Sequence, residues 1–134
     1  MRLFLDANIL FTAAHNPQGK AALVIELGQA GLWQLVTSTY ALEEARRNLA
    51  LKFPDGIERF GTLSKSLRIT ADPTGENCPD GLPKKDCPIY RAALACRADV
   101  LLTGDVRDFG FLMNDRNKAD GLLIQTVADF LNAT

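Results

Sequence analysis

The chain has 134 residues, of which 47% are hydrophobic and 23% are charged, a balance typical of a globular protein with one core. Its formal net charge of −1 gives no overall attraction to nucleic acid, so a polyanionic partner would have to bind to a local patch. The apolar start, MRLFLDANILF, contains an aspartate, and no apolar run approaches the roughly 20 residues of a transmembrane helix, so we expect a cytoplasmic protein that does not bind membrane.

Strand-like and helix-like patterns alternate along the chain. Apolar runs predict strands over residues 2–6, 33–38, 67–70, 99–104 and 122–126. Helical spacing predicts helices over residues 20–31, 39–53, 57–67, 86–98 and 127–133. The first of these helices is expected to end at Gly28 and Gly31, which are good C-cap residues, and the second to begin at Ser38 or Thr39.

The alternation of strands and helices predicts the fold class. Residues 71–85 contain three prolines and two glycines, and we interpret them as a loop rather than a domain linker because periodic structure resumes at once. The pattern predicts an α/β fold: a three-layer α/β/α sandwich with a central parallel sheet of about five strands. We expect one domain over residues 1–134.

The cysteines and the single histidine restrict the kinds of site the chain can form. Cys78, Cys87 and Cys96 lie nine residues apart, form no zinc-binding spacing and are odd in number, which argues against a disulfide framework. We therefore expect reduced thiols that pack as small hydrophobic side chains. His15 is the only histidine, which excludes a His-rich metal site and argues against a Ser–His triad.

Acidic residues follow the predicted strands. In an open parallel sheet, sites form outside the carboxyl ends of the strands, where the strand order reverses. Asp6 ends the first strand and Asn8 follows it, whereas Thr103 ends the fourth strand. The acids expected near this edge are Asp6, Glu44, Asp105 and Asp108; Asp86 opens the helix that leads into the fourth strand, and counting does not fix which end of the sheet it faces. At least four carboxylates could therefore converge on one crevice.

Clustered carboxylates indicate a metal site. Like charges at short range raise one another's pKa, and a hard divalent cation is the usual compensation. Mg²⁺ prefers oxygen ligands, and such an ion can activate water for phosphodiester hydrolysis. Each aspartate could instead cap a helix. Two neighbouring glutamates, Glu43 and Glu44, are candidates for one role, and Glu43 can pair with Arg46 and Arg47 on an exposed helix face.

Three segments, LFLDANIL, TSTYALEEARRNL and KKDCPIYRAALACRADVLLTGDVRDF, together with the ending GLLIQTVADFL, resemble the PIN domain in its small prokaryotic form. The resemblance implies the catalytic residues Asp6, Glu44, Asp86 and Asp105. It implies the metal ligands Asp6, Asp86 and Asp105, with Asp108 as an additional or substitute ligand. Asn8 and Thr103 match supporting polar positions.

The resemblance also implies an activity and partners. PIN domains are typically Mg²⁺- or Mn²⁺-dependent ribonucleases, and many are toxins of bacterial toxin–antitoxin pairs. We therefore expect a divalent-metal-dependent endoribonuclease that cleaves single-stranded RNA. RNA is the expected partner, and the family pattern allows for an antitoxin protein and a homodimer.

Basic and aromatic residues near the expected crevice are candidates for RNA contact. Those that could bind phosphate are Lys84, Lys85, Arg91 and Arg107. Phe11, Tyr40 and Phe109 could stack on bases, but apolar helix positions explain them equally well as core residues.

Two other classes of function are compatible with an aspartate at the end of the first strand or with the PIN-like pattern. A haloacid-dehalogenase-like phosphatase needs a second acid two residues after its nucleophile, where this chain has Asn8. The other class is a non-catalytic module. It would be either a PIN-like domain that only binds RNA or protein, or a receiver-like signalling domain. A receiver would need an acidic pair at the end of the first strand, where Asp6 has no acidic neighbour, and a phosphoacceptor aspartate at the end of the third, where only Asp72 is available. The complete acid set favours the nuclease.

Overall fold

The computed structural model describes residues 1–134, in which five strands alternate with seven helices. The strands are β1 Arg2–Leu5, β2 Gln34–Ser38, β3 Arg68–Thr70, β4 Val100–Leu102 and β5 Leu123–Gln125. The helices are α1 Ala7–His15, α2 Lys20–Gln29, α3 Thr39–Lys52, α4 Ile57–Ser64, α5 Cys87–Ala95, α6 Val106–Phe109 and α7 Val127–Ala133. None of these helices combines the length and the apolar stretch needed to cross a membrane.

The five strands form one parallel sheet in the order β3-β2-β1-β4-β5. The strand order reverses at β1, because β2 lies on one side of it and β4 on the other. Leu5 of β1 is in register with Leu102 of β4, so the carboxyl ends of these strands lie side by side. The predicted α/β fold with five parallel strands is confirmed, and the edge beyond β1 and β4 is where such sheets form their sites.

Residues of the central strand are buried on both faces of the sheet. Leu3, Phe4 and Leu5 have no exposed surface, as expected for a parallel strand that is covered by helices on both sides. The helix that follows, α1, was not among the predicted elements. Its signal is present in the sequence: Asp6 caps it, and its buried residues Ile9, Leu10, Ala13 and Ala14 have helical spacing.

Residues with positive φ follow the ends of α2 and α5, whereas Gly28 lies within α2. The prediction that the helix over 20–31 ends at Gly28 is wrong, because Gly28 lies inside α2. A Cβ atom at Gly28 would lie 2.5 Å from the Cγ of Leu35, so this glycine lets α2 pack closely on β2. Gly31, with φ of +97°, follows the helix end. Helix α5 ends at Ala95, before Arg97, whose φ is 57°.

A disulfide joins Cys78 to Cys87, with a Cα–Cα distance of 5.6 Å, while Cys96 is free. The expectation of three reduced thiols is therefore wrong. The loop that precedes α5 folds back on the first residue of that helix and brings the two sulfur atoms together. The nine-residue spacing of the cysteines in the sequence does not show that this loop brings Cys78 back to Cys87.

Reduction of this disulfide is expected to lower the free energy of unfolding by about 2–3 kcal/mol, because the bond closes a loop in the unfolded chain. Urea denaturation with and without dithiothreitol measures the difference. A Cys78→Ser/Cys87→Ser double variant should be as stable as the reduced protein, and dithiothreitol should not change its free energy of unfolding. In Cys96→Ser, dithiothreitol should lower the free energy of unfolding as it does in the original chain. Equal stability of the oxidised and reduced forms would contradict the prediction.

Candidate metal centre

The junction between β1 and β4 is built around the hydroxyl of Thr103, which is fully buried. This hydroxyl donates a hydrogen bond to Asp6 Oδ2 at 2.8 Å and accepts one from the backbone N–H of Asp105 at 3.1 Å. Asp6 Oδ1 accepts a hydrogen bond from the N–H of Ala7 at 2.6 Å, which caps α1. One threonine therefore links the two acidic segments that follow β1 and β4.

Asn8 forms a second link between these segments. Its side-chain Nδ2 lies 3.3 Å from both Asp6 Oδ2 and Thr103 Oγ1. Its Oδ1 accepts a hydrogen bond from the N–H of Gly104 at 2.7 Å. The structure thus places Asn8 and Thr103 beside Asp6, in positions where they orient the loop that carries Asp105.

Three carboxylates meet next to this junction. One oxygen from each of Asp86, Asp105 and Asp108 lies within 4.8 Å of the others. Asp86 is buried at the start of α5. Asp105 Oδ1 accepts a hydrogen bond from the N–H of Asp108 at 3.1 Å and so caps α6. A set of oxygen donors without histidine or thiolate fits a hard divalent cation such as Mg²⁺ or Mn²⁺.

The side chain of Lys85 reaches into the same group. Its Nζ lies 2.7 Å from Asp108 Oδ2, 3.2 Å from Asp86 Oδ2 and 3.6 Å from Asp105 Oδ2. Its hydrogen bond to Asp108 raises the pKa of Lys85 and lowers the pKa of Asp108. Burial raises the pKa of Asp86, and the nearby Asp108 adds to that rise.

The group of three differs from the expected convergence of Asp6, Glu44, Asp86 and Asp105. Asp108 takes part, while Asp6 and Glu44 lie outside the group. The carboxylate of Asp6 instead accepts hydrogen bonds from Thr103 and from the backbone N–H of Ala7. The ammonium of Lys85 balances part of the negative charge of the three carboxylates.

The charges of Glu44 and Asp105 act on the carboxyl group of Asp6. Burial raises the pKa of Asp6 to about 6, although its hydrogen bonds with Thr103 and Ala7 oppose this rise, and Glu44 and Asp105 add to it. Glu44 is half-buried on α3 and makes no ion pair. Its neighbour Glu43 pairs with Arg46 on the exposed face of the helix.

The remaining basic candidates do not contact the acids. Lys84 and Arg107 are exposed and form no ion pair within the chain. Arg91 borders a cavity between α5 and residues 73–77. No sequence pattern showed that Lys85, rather than these three residues, would lie among the carboxylates.

Of the aromatic candidates, only Tyr40 reaches this region. Its hydroxyl donates to the backbone carbonyl of Lys85 at 2.9 Å, so α3 holds the turn that presents Lys85 and Asp86. Phe109 is buried in the core, and Phe11 packs against His15 and Phe53.

The fold is similar to those of several solved proteins. A chain of VapBC2 from Rickettsia felis, solved with a DNA fragment from the promoter, aligns with a TM-score of 0.67 and 17% identity over 94% of this chain and 98% of that chain. A PilT N-terminus domain protein from Sulfolobus solfataricus aligns with a TM-score of 0.57 and 15% identity over 99% and 92%.

A further similarity is to VapC20 of Mycobacterium tuberculosis, described as a sarcin–ricin loop cleaving toxin. It has a TM-score of 0.56 and 9% identity over 81% of this chain and 94% of that chain. No protein-family model and no curated protein matches the sequence. The parallel sheet and these structural alignments together show that the chain has the PIN-domain fold.

Proposed function

We propose that this chain, acting as one domain over residues 1–134, is a divalent-metal-dependent endoribonuclease that hydrolyses phosphodiester bonds of single-stranded RNA. The observation that carries the proposal is the meeting of Asp86, Asp105 and Asp108 within 4.8 Å at the carboxyl edge of a PIN-type sheet. The structural similarity to a toxin that cleaves the sarcin–ricin loop supports an RNA substrate.

Each acidic residue has a proposed role. Asp86, Asp105 and Asp108 would hold Mg²⁺ or Mn²⁺, which when bound activates water and stabilises the charge that develops on phosphate oxygens. Because Asp105 Oδ1 accepts the N–H of Asp108, its Oδ2 is the atom that faces the cation site. Asp6 and Glu44 add negative charge next to this site, which strengthens its hold on a cation.

A cleft beside the acids offers space for the substrate. It encloses about 680 Å³ and is bordered by Asp105, Asn8, Thr12 and Lys20, a volume suited to a nucleotide-sized group. Lys20 was not among the sequence candidates. We propose that Lys20, together with Lys84, Lys85 and Arg107, contacts phosphates of the RNA, since phosphate contacts supply most of the affinity for nucleic acid.

The proposed setting is the cytoplasm, with this chain as the toxin of a toxin–antitoxin pair. Similarity to VapBC proteins supports an antitoxin partner, and a homodimer completes the proposal. Because the cytosol keeps most thiols reduced, we expect the Cys78–Cys87 disulfide to open there. Both redox forms therefore belong in every assay.

The geometry disfavours a phosphatase that uses Asp6 as a nucleophile. Asp6 is only 3% exposed, and both of its oxygens accept hydrogen bonds. Asn8 holds the loop after β4 through Gly104 and offers no proton for a leaving group. The position two residues after Asp6 is therefore used to orient the loop.

The test is incubation of the purified chain with a mixed RNA pool in Mn²⁺ and in EDTA, followed by mapping of the cleaved ends. We expect internal cleavage of unpaired RNA in Mn²⁺ and none in EDTA. A double-stranded RNA of the same sequence serves as the substrate control. Cleavage that persists unchanged in EDTA would overturn the proposal.

A matched pair of glutamate variants tests which face of α3 acts on the site. Glu44→Gln is expected to lower the cleavage rate about tenfold, because it removes a charge that acts on Asp6. Glu43→Gln should keep the rate and change the free energy of unfolding by less than about 1 kcal/mol, the scale of an exposed ion pair. The reverse pattern in parallel assays would show that the face of α3 that carries Glu43 acts on the site.

A further inference from the structure

Lys85 occupies the space that a bound cation would need. Its ammonium nitrogen lies between 2.7 and 3.6 Å from one oxygen of each of Asp86, Asp105 and Asp108. Those three residues are the ones whose oxygens lie within 4.8 Å of one another. Because Mg²⁺ binds oxygen at about 2.0–2.1 Å, the ion and the ammonium cannot both lie at the centre of this group.

We propose that Lys85 is a built-in competitor of the divalent cation, so that metal binds only when the ammonium moves out of the acidic group. This inference rests on the proposed metal site. In the metal-free protein the ammonium neutralises part of the charge of the carboxylates and holds α5 and α6 together. Metal affinity is therefore lower than the carboxylates alone would give.

The structure allows this exchange without a change in the backbone. The carbonyl of Lys85 accepts the hydroxyl of Tyr40 at 2.9 Å, which fixes the turn before α5. The side chain of Lys85 is 64% exposed, and its four-carbon stem is flexible. The ammonium can therefore swing into solvent while Asp86 stays in place.

Isothermal titration with Mn²⁺ and no RNA tests the competition. Lys85→Met should bind Mn²⁺ about tenfold more tightly than the original chain, equivalent to about 1.4 kcal/mol. Lys65→Met is the control, because Lys65 is exposed at the end of α4 and forms no ion pair; its affinity should be unchanged. Lys85→Gln gives a second variant if Lys85→Met does not fold. Unchanged or weaker binding in a folded Lys85 variant would overturn the proposal.

Nuclear magnetic resonance of the lysine ammonium groups provides a readout independent of activity. In the metal-free protein the Lys85 signal should be protected from exchange by its carboxylate partners, and it should be lost as Mg²⁺ is added. A Lys85 signal that persists at saturating Mg²⁺ would overturn the competition while leaving the proposed nuclease intact. If Mg²⁺ releases Lys85 but RNA is not cleaved, only the proposed function fails. If no form binds metal, both fail.

Discussion

Asp105→Asn is expected to lower the rate of Mn²⁺-dependent RNA cleavage by at least about a hundredfold. Asparagine keeps the shape of the side chain and can still cap α6 by accepting the N–H of Asp108, which Asp105 now does at 3.1 Å. The substitution removes only the charge that faces the cation site. The fold should therefore survive while metal binding and cleavage are lost.

The measurement is single-turnover cleavage of an unpaired RNA oligonucleotide at several Mn²⁺ concentrations, with circular dichroism to check folding. Asp55→Asn is the matched control, because Asp55 is exposed and lies after α3, away from the carboxyl edge of the sheet. It should cleave at the original rate. Full activity in a folded Asp105→Asn variant would show that Asp105 does not belong to the proposed site.

Asp6→Asn is expected to raise the free energy of unfolding at pH 7.5 in EDTA by about 1–3 kcal/mol while lowering cleavage strongly. Burial raises the pKa of Asp6 from its ordinary 3.8 to about 6, which corresponds to about 3 kcal/mol at about 1.4 kcal/mol for each unit of pKa. The ionised carboxylate of Asp6 therefore lowers the free energy of unfolding at neutral pH. Asparagine carries no charge and caps a helix as well as aspartate does.

The pH dependence identifies the cause of this gain. Asp6 ionises at a lower pH in the unfolded chain than in the folded protein. The free energy of unfolding of the original chain therefore falls as the pH rises from about 4 through about 6. The advantage of Asp6→Asn should be near zero at pH 4 and complete above pH 6. Urea denaturation of both proteins at four pH values in EDTA provides the comparison. An asparagine variant that is less stable at pH 7.5 would show that Thr103 requires an ionised partner.

Several parts of the fold and site follow directly from the sequence. A parallel sheet brings the residues after β1 and β4 to the same edge, so Asp6 and Asp105 could be placed there by counting. Asp108 follows Asp105 in the same segment, whereas counting could not assign Asp86 to either end of the sheet, and only the fold brings it to this edge. Their side chains are short, and the backbone therefore fixes their positions.

Other features depend on contacts that no local pattern encodes. The ammonium of Lys85 lies at the end of a long side chain, and its position is set by the carboxylates of Asp86 and Asp108, which meet only after folding. The disulfide between Cys78 and Cys87 depends on how an irregular loop returns to α5. The sequence predicts a helix end at Gly28, but in the structure the missing side chain of Gly28 leaves room for Leu35.

The strand order has a consequence for the synthesis of the protein. Thr103 and Asp6, which are hydrogen-bonded, lie 97 residues apart in the chain. A nascent chain whose β4 and α6 are still inside the ribosome exposes Asp6 and Glu44 but neither Asp105 nor Asp108. Such a chain cannot assemble the acidic group. The acidic group can therefore form only after the segment that carries Asp105 and Asp108 has been synthesised and has left the ribosome.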